Sequence, residues 1–454
     1  MSFIHWLSKN LALKSRTVRA RNTPTARHSF RPTLEVLEGR WVPSTLTVTS
    51  IADKGAGSLR AEIKAAQNGD TIVFDKTLFN PTTPQTITLT SGELLINHNV
   101  TISGPGAGAL TISGNNAARV FEAASGTQVT LDGLTISNGL AIVGGGILNN
   151  GTLSVSNSTL SGNSATVHSK TIQNDGGAIE NNGTLTVSNT ILSANVSNGF
   201  GGGIDNNGTL TVSNSSLLHN SGDGISNSGP ATISGSTLSY NSASSGGGIY
   251  NVGTMTISGS TLSFNTATNL SGGGIQNYGK LTINGGSTLS DNNAVAEYGG
   301  GIYTEGNANS VTITDSKLLR NHAGYGGGIY VVGGSSLSIS SNTTLDSNSA
   351  GVDGGAIYIY SGTATISDSI LTNNSAAESG GGIYAGPFGP STLHFATVTL
   401  TNDTIQSNTA TQYGGGLFIE SGATVSIDAA TVAALINNTD SSGVNGSTAN
   451  IDGI

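Results

Sequence analysis

The chain contains no cysteine among its 454 residues. That excludes disulfide frameworks, thiolate metal sites and a cysteine nucleophile. Charged side chains are only 9% of the total and aromatic ones 5%. The surface must therefore be built from Ser, Thr, Asn and Gly. No apolar run reaches the ~18 residues that a membrane-spanning helix needs. Basic residues are scarce outside the N-terminal arm. Residues 1–43 hold eight of the 17 Lys and Arg, and from residue 120 onward only Lys170, Lys280, Lys317 and Arg320 remain. The net charge is −9. An acidic body of this kind is not expected to bind nucleic acid.

What the chain has is glycine, 66 of them, well above the usual ~7%. They are ordered. Between Gly144 and Leu417 two or three small residues precede an Ile or Leu eleven times, at Ile147, Ile179, Ile204, Ile225, Ile249, Ile275, Ile302, Ile329, Ile357, Ile383 and Leu417. A period in this range marks a solenoid, whose repeats bury their apolar faces only against one another. One unit, Gly144–Asn163, reads as three short segments separated by Asn/Gly turns. Strand alternation turns Ile147, Leu153, Val155 and Leu160 inward. Ile249, Met255, Ile257 and Leu262 repeat the pattern, as do Ile357, Ala364, Ile366 and Leu371. The expected fold is all-β: a three-sheet, right-handed parallel β-helix of about 12–13 coils, roughly 60 Å long at strand spacing.

Two asparagine columns follow the same period. Asn163, Asn195, Asn220, Asn241, Asn265, Asn292, Asn321, Asn348, Asn374 and Asn408 each close a third segment. They are expected to form a turn ladder. Asn149, Asn181, Asn206, Asn227, Asn251 and Asn277 form a second ladder. Beyond it, Thr304, Val331, Ile359, Ala385 and Ile419 predict a longer first strand.

The chain divides into a basic disordered or export-type segment at 1–44, a cap with first coils at 45–122, repeats at 123–428, and a tail or cap at 429–454. In the cap, Ser58 is a good N-cap for a short helix with Leu59, Ile63 and Ala66 on one face. That helix is expected to seal the first coil. Gly57-Ser58-Leu59-Arg60-Ala61-Glu62-Ile63 resembles the Cys-Ser-Leu-Arg-Glu-Ala segment that precedes many bacterial β-helix proteins, with Gly57 at the Cys position. Leu34-Glu35-Val36-Leu37-Glu38-Gly39-Arg40 resembles the start of large exported repeat proteins of planctomycete-type bacteria. That likeness implies an envelope or extracellular address. The repeats, with Gly-Gly-Ala-Ile at Ile179 and Ile357 and Leu-x-x-Asn after them, resemble those of polymorphic outer membrane proteins. This implies a surface-exposed, adhesin-like solenoid. Those proteins end in a membrane barrel, whereas the stretch after Ile427 is too short for one.

The residue after each Gly-Ile signal should face away from the core. Tyr250, Tyr303, Tyr330, Tyr358, Tyr384 and Phe418 occupy that column. Stacked rings there would stabilise the sheet or present a strip to a carbohydrate or a surface protein. No catalytic residue, metal site or cofactor is expected. The alternative is a polysaccharide lyase or glycoside hydrolase of the pectin-lyase-like fold. Its best polar centre is Lys317 and Arg320 near Asp315 and His322, which reads as a solvated turn. Asn438-Thr439-Asp440 has the form of a hydrolase motif but stands without its companion elements and past the last clear coil.

Overall fold

The structure, a computed structural model, describes residues 43–166, 175–295, 297–386, 395–441 and 451–452. The N-terminal arm, with Leu34–Arg40, lies outside the described residues. From Pro43 onward the chain is one compact unit.

That unit is a parallel β-solenoid of about fourteen turns. Three long sheets run through it, with 14, 15 and 14 strands. One coil shows the plan: Ile249–Asn251 belongs to the first sheet, Thr254–Ser258 to the second and Thr261–Ser263 to the third. Each strand pairs in parallel with its copy one coil on, in unbroken register, as Ile249 with Ile275 and Leu262 with Leu289. The count exceeds the expected 12–13 coils because both ends contribute. Thr45–Val48 pairs with Asp70–Phe74 at the start, and Leu435–Ile436 and Ile451–Asp452 pair onto the last repeats.

The inward positions read from the sequence are the core. Ile147, Leu153, Val155 and Leu160 are at most 1% exposed, and their copies continue as one aliphatic column. At about 1.5–3 kcal/mol per buried aliphatic side chain, four such residues per coil are the main driving force. A short fourth segment was not apparent from the sequence. Two-residue strands such as Thr266–Ala267 follow the Asn turn and tuck a small side chain inward. Two residues are too few to show a periodic signal. The first strand lengthens less than expected. It reaches four residues at Ile302–Glu305 and Ile329–Val332, then returns to three. The second strand lengthens instead, to six residues in Ser335–Ser340, Gly362–Ser367 and Ala396–Thr401.

The glycines before each Ile are fixed by the stacking. Gly246 lies at φ +61°, in the left-handed region. A Cβ on Gly247 would fall 2.4–2.6 Å from the backbone of Thr266 in the next coil. At the N-terminal end, α1 (Leu59–Ala65) is capped by the Ser58 side chain and buries Leu59 and Ile63 against the first coil. Burial opposes ionisation of Asp53, but donors from Ser91, Arg60 and Thr90 hold its carboxyl down to about 2. At the other end, Asp428 caps the single turn of α2 (Ala429–Ala433).

Candidate functional site

The corners are lined by polar ladders. Asn265 is typical and fully buried. Its Nδ2 donates to Asn292 Oδ1 and to the Leu238 carbonyl, each at 3.0 Å. Its Oδ1 accepts from the Asn241 backbone N–H and from Asn241 Nδ2. Asn438, thought to lie past the repeats, is the next rung after Asn408 and accepts from it at 2.9 and 3.0 Å. The second ladder ends as read, with Asn277 donating to Thr304 Oγ1. A third ladder went unnoticed. Ser158, Thr190, Ser215, Ser236, Ser260 and Ser287 each accept from the backbone of the preceding coil. A hydroxyl two residues before each third-strand Leu was its signal. These columns carry structure.

The column after the Gly-Ile signal changes character along its length. In the C-terminal coils it holds the expected rings, stacked at 5.7, 5.0 and 4.5 Å from Tyr303 through Tyr330 and Tyr358 to Tyr384. They are not an exposed strip. Tyr303, Tyr330, Tyr358 and Tyr384 are buried, while Tyr250 and Phe418 are half-buried at either end. The cover comes from the residue before the glycines, where Tyr298, Tyr325 and Tyr413 lean over the row. Aromatic residues immediately preceding a Gly-Gly-Gly run were the overlooked signal. Burial raises the hydroxyl pKa of all four buried tyrosines, which stay neutral.

In the N-terminal coils the same column places Glu180 beside Asp205, in register across the sheet. Both are only 5% exposed. Asn207 Nδ2 donates to Glu180 Oε1 at 3.0 Å and to Asp205 Oδ2 at 3.1 Å. Glu180 Oε2 finds no donor among the described residues. Asp175 lies close by, accepting from the Phe200 N–H, and the Phe200 ring stacks on Tyr250. Asp223 is buried next to them and lines a cavity of about 350 Å³ with Phe200. Burial and mutual repulsion push Glu180 up to about 9, and burial pushes Asp205 up to about 6. Burial likewise raises Asp223 and Asp175. Glu180 and Asp205 directly follow the Gly-Ile signals at Ile179 and Ile204, which is the only sequence sign that they would meet. Among the described residues the acids do not converge as a metal-ligand set.

The residues around Lys317, read as a solvated turn, do not gather. Arg320 pairs at 2.8 Å with Asp291 of the preceding coil, not with Asp315. His322 Nδ1 meets Ser349 Oγ. Lys317 is exposed on the third sheet.

One feature of the third turn escaped notice. Just before the Asn ladder the chain takes a left-handed residue in every coil. In three successive coils that residue is His219, Tyr240 and Phe264, at φ +54°, +56° and +55°. Their rings stack at 4.9 Å, nearly parallel. Tyr240 is 50% exposed and Phe264 46%. The neighbouring coils carry Ala194 on one side and the Asp291–Arg320 pair on the other.

Residues 249–432 match the family model described as right-handed beta helix region. The matched stretch lies within the β-solenoid described above. No curated protein matches the chain. Solved structures similar to it include the catalytic unit of a thermostable GH87 alpha-1,3-glucanase from Streptomyces thermodiastaticus, with 18% identity, TM-score 0.45, and coverage of 78% of this chain and 67% of that one. The A-module of a mannuronan C-5 epimerase from Azotobacter vinelandii is similar at 15% identity and TM-score 0.37, over 84% of this chain and 99% of that one. A mannuronic acid specific family 6 polysaccharide lyase from human gut microbiota has 11% identity and TM-score 0.36, over 85% and 83%. At these identities the likeness concerns the fold alone.

Proposed function

We propose that this β-helix is an exported surface or extracellular display protein, adhesin-like in role, that holds a carbohydrate partner along the ridge His219–Tyr240–Phe264. One observation carries the reading: three exposed rings are held in left-handed backbone. A residue with a Cβ in that region costs about 1–2 kcal/mol. Every coil takes this turn, with Gly162, Asn373 or Asn437 in some and Ala194, Asp291, Arg320, Ser347 or Ser407 in others, so the backbone belongs to the turn and the exposed rings are what distinguish these three coils. Each ring pair returns about 0.5–1.5 kcal/mol, yet the stack leaves Tyr240 50% and Phe264 46% exposed. Three rings left exposed and contiguous on one turn mark a contact site. The adjoining Asp291 carboxylate and Arg320 guanidinium supply hydrogen-bonding groups suited to sugar hydroxyls. The Leu34–Arg40 segment supports an extracytoplasmic address by resemblance.

The test replaces all three rings with Asn, which tolerates the left-handed turn. Glycan-array binding should vanish in His219→Asn, Tyr240→Asn, Phe264→Asn while thermal stability holds or rises. Retained glycan binding refutes the ridge. Binding that appears only with surface proteins would replace the carbohydrate by a protein partner.

Hydrolysis of a polysaccharide is the second reading, favoured by one observation. Glu180 and Asp205 are adjacent carboxyls whose environments push their proton affinities apart, the arrangement that supplies an acid and a base. Release of reducing sugar by the native chain, lost in both Glu180→Gln and Asp205→Asn, is the result this reading requires.

A further inference from the structure

Five tyrosines, Tyr298, Tyr325, Tyr330, Tyr358 and Tyr360, line a single cavity of about 160 Å³. Tyr330 and Tyr358 form one side, stacked at 5.0 Å and 17°. Tyr325 stands at 86° to Tyr358, 5.7 Å away, and makes a wall. Tyr298 packs 4.6 Å from Tyr330 at 40°. Tyr360 lies 6.5 Å from Tyr358, nearly parallel to it. Tyr358 is stacked between Tyr330 and Tyr384, and Tyr330 between Tyr303 and Tyr358, so their faces are taken and Tyr298, Tyr325 and Tyr360 are left to present π surface to an occupant.

The surroundings are acidic. Glu297 acts on Tyr298, Glu305 on Tyr330, and Asp353 and Glu378 on Tyr325. Asp353 is 3% exposed, and Glu378 and Glu420 add to the field upon it. Lys317 and Arg320 are the sole Lys and Arg after residue 297, and both sit on the third sheet, with Arg320 already paired to Asp291. An electron-rich cavity without a resident cation attracts one from outside. Its volume is below the ~300 Å³ of drug-sized sites, so it suits a small head group rather than a sugar chain.

We propose that this tyrosine cage binds a trimethylammonium head group. The methyls would fill the cavity against the rings, and the delocalised positive charge would meet the Tyr298, Tyr325 and Tyr360 rings and the field of the nearby acids. A compact ammonium is less suited, because stripping its hydration shell costs more than the rings return. This site is separate from the ridge and does not depend on it.

Titration calorimetry of the full chain with choline, and with 3,3-dimethyl-1-butanol as its neutral isostere, tests the proposal. Choline should saturate one site, and the isostere should bind at least about tenfold more weakly. Tyr325→Ala and Tyr298→Ala, both at half-buried turn positions, should each weaken choline about tenfold. Tyr360→Phe keeps its π face and should bind as the native chain does. A peptide carrying trimethyl-lysine is the second arm. Tighter binding than choline assigns the head group to a protein source, and equal or weaker binding assigns it to a small molecule. Absence of saturable choline binding overturns the proposal, as does equal affinity for the neutral isostere.

Discussion

Replacing Asn265 with Ala removes one rung from a ladder that has no water to fall back on. Asn265 is 0% exposed. Its loss strips the acceptor from two buried donors, the Asn241 backbone N–H and Asn241 Nδ2. It also strips the donor from the Leu238 carbonyl and Asn292 Oδ1. Carbonyls tolerate the loss better than donors. Two orphaned donors at about 1–3 kcal/mol each put the cost at about 2–6 kcal/mol. Asn269, four residues on, is exposed and donates only a long 3.4 Å bond to Ser244. Asn269→Ala should therefore stay within about 0.5 kcal/mol of the native chain. Because a solenoid opens locally, native-state hydrogen exchange is the suitable assay. The Asn241 amide should exchange at least about tenfold faster in Asn265→Ala, while amides of the first coils keep their protection. A loss no larger than that of Asn269→Ala would refute the claim that the amide ladder holds the corners together.

Gly247→Ala should destabilise the repeats by about 1–3 kcal/mol, because its Cβ meets rigid backbone rather than a movable side chain; urea unfolding reads this. Acidity should act in opposite senses at two places. Glu180, Asp205 and Asp353 hold protons in the folded chain, with values raised to about 9, 6 and 6, that the unfolded chain has released. Their contribution is therefore greatest below pH 4 and diminishes as pH rises towards 9. A double variant, Glu180→Gln with Asp205→Asn, should flatten the fall in melting temperature between pH 6 and pH 9. Asp53 behaves inversely. Its ionised contacts stabilise the cap above the ordinary carboxylate value and are lost as pH falls towards 2. Asp53→Asn should remove that acid-side loss, measured by exchange at the α1 amides. Tyr358→Ala, at 1% exposure in the middle of its stack, should cost about 3–5 kcal/mol as a core aromatic truncation.

The aliphatic column was legible because its period is long, strict and repeated. Ile147, Leu153, Val155 and Leu160 each recur at fixed offsets from a turn signal, and a packed solenoid admits no other arrangement. Exposure of the second layer was not legible. A residue such as Tyr358 faces away from the aliphatic column whether or not something covers it. The cover, Tyr325, comes from a turn 33 residues earlier in the chain, beyond any local pattern. The left-handed rings at His219, Tyr240 and Phe264 were hidden for a different reason. Their backbone conformation is imposed by the Asn ladder beside them, and propensity alone would assign Gly or Asn there.

A ladder works when identical groups can satisfy one another. Amides do so, since each donates upward and accepts from below, and rings do so by stacking. Carboxylates do not, because ionised copies one coil apart repel. Glu180 beside Asp205 is thus a point where the repeat works against its own packing rule, and retaining a proton there is the remedy the structure adopts. The His219–Phe264 ridge keeps the repeat's left-handed turn and departs from it by leaving rings in solvent. Local cost without structural return is what separates a site from a scaffold when every coil otherwise repeats. On that criterion the ridge and the acidic pair stand above the Asn, Ser and Tyr columns as places to look for binding or chemistry. The tyrosine cage qualifies on other grounds, since its rings enclose space instead of filling it.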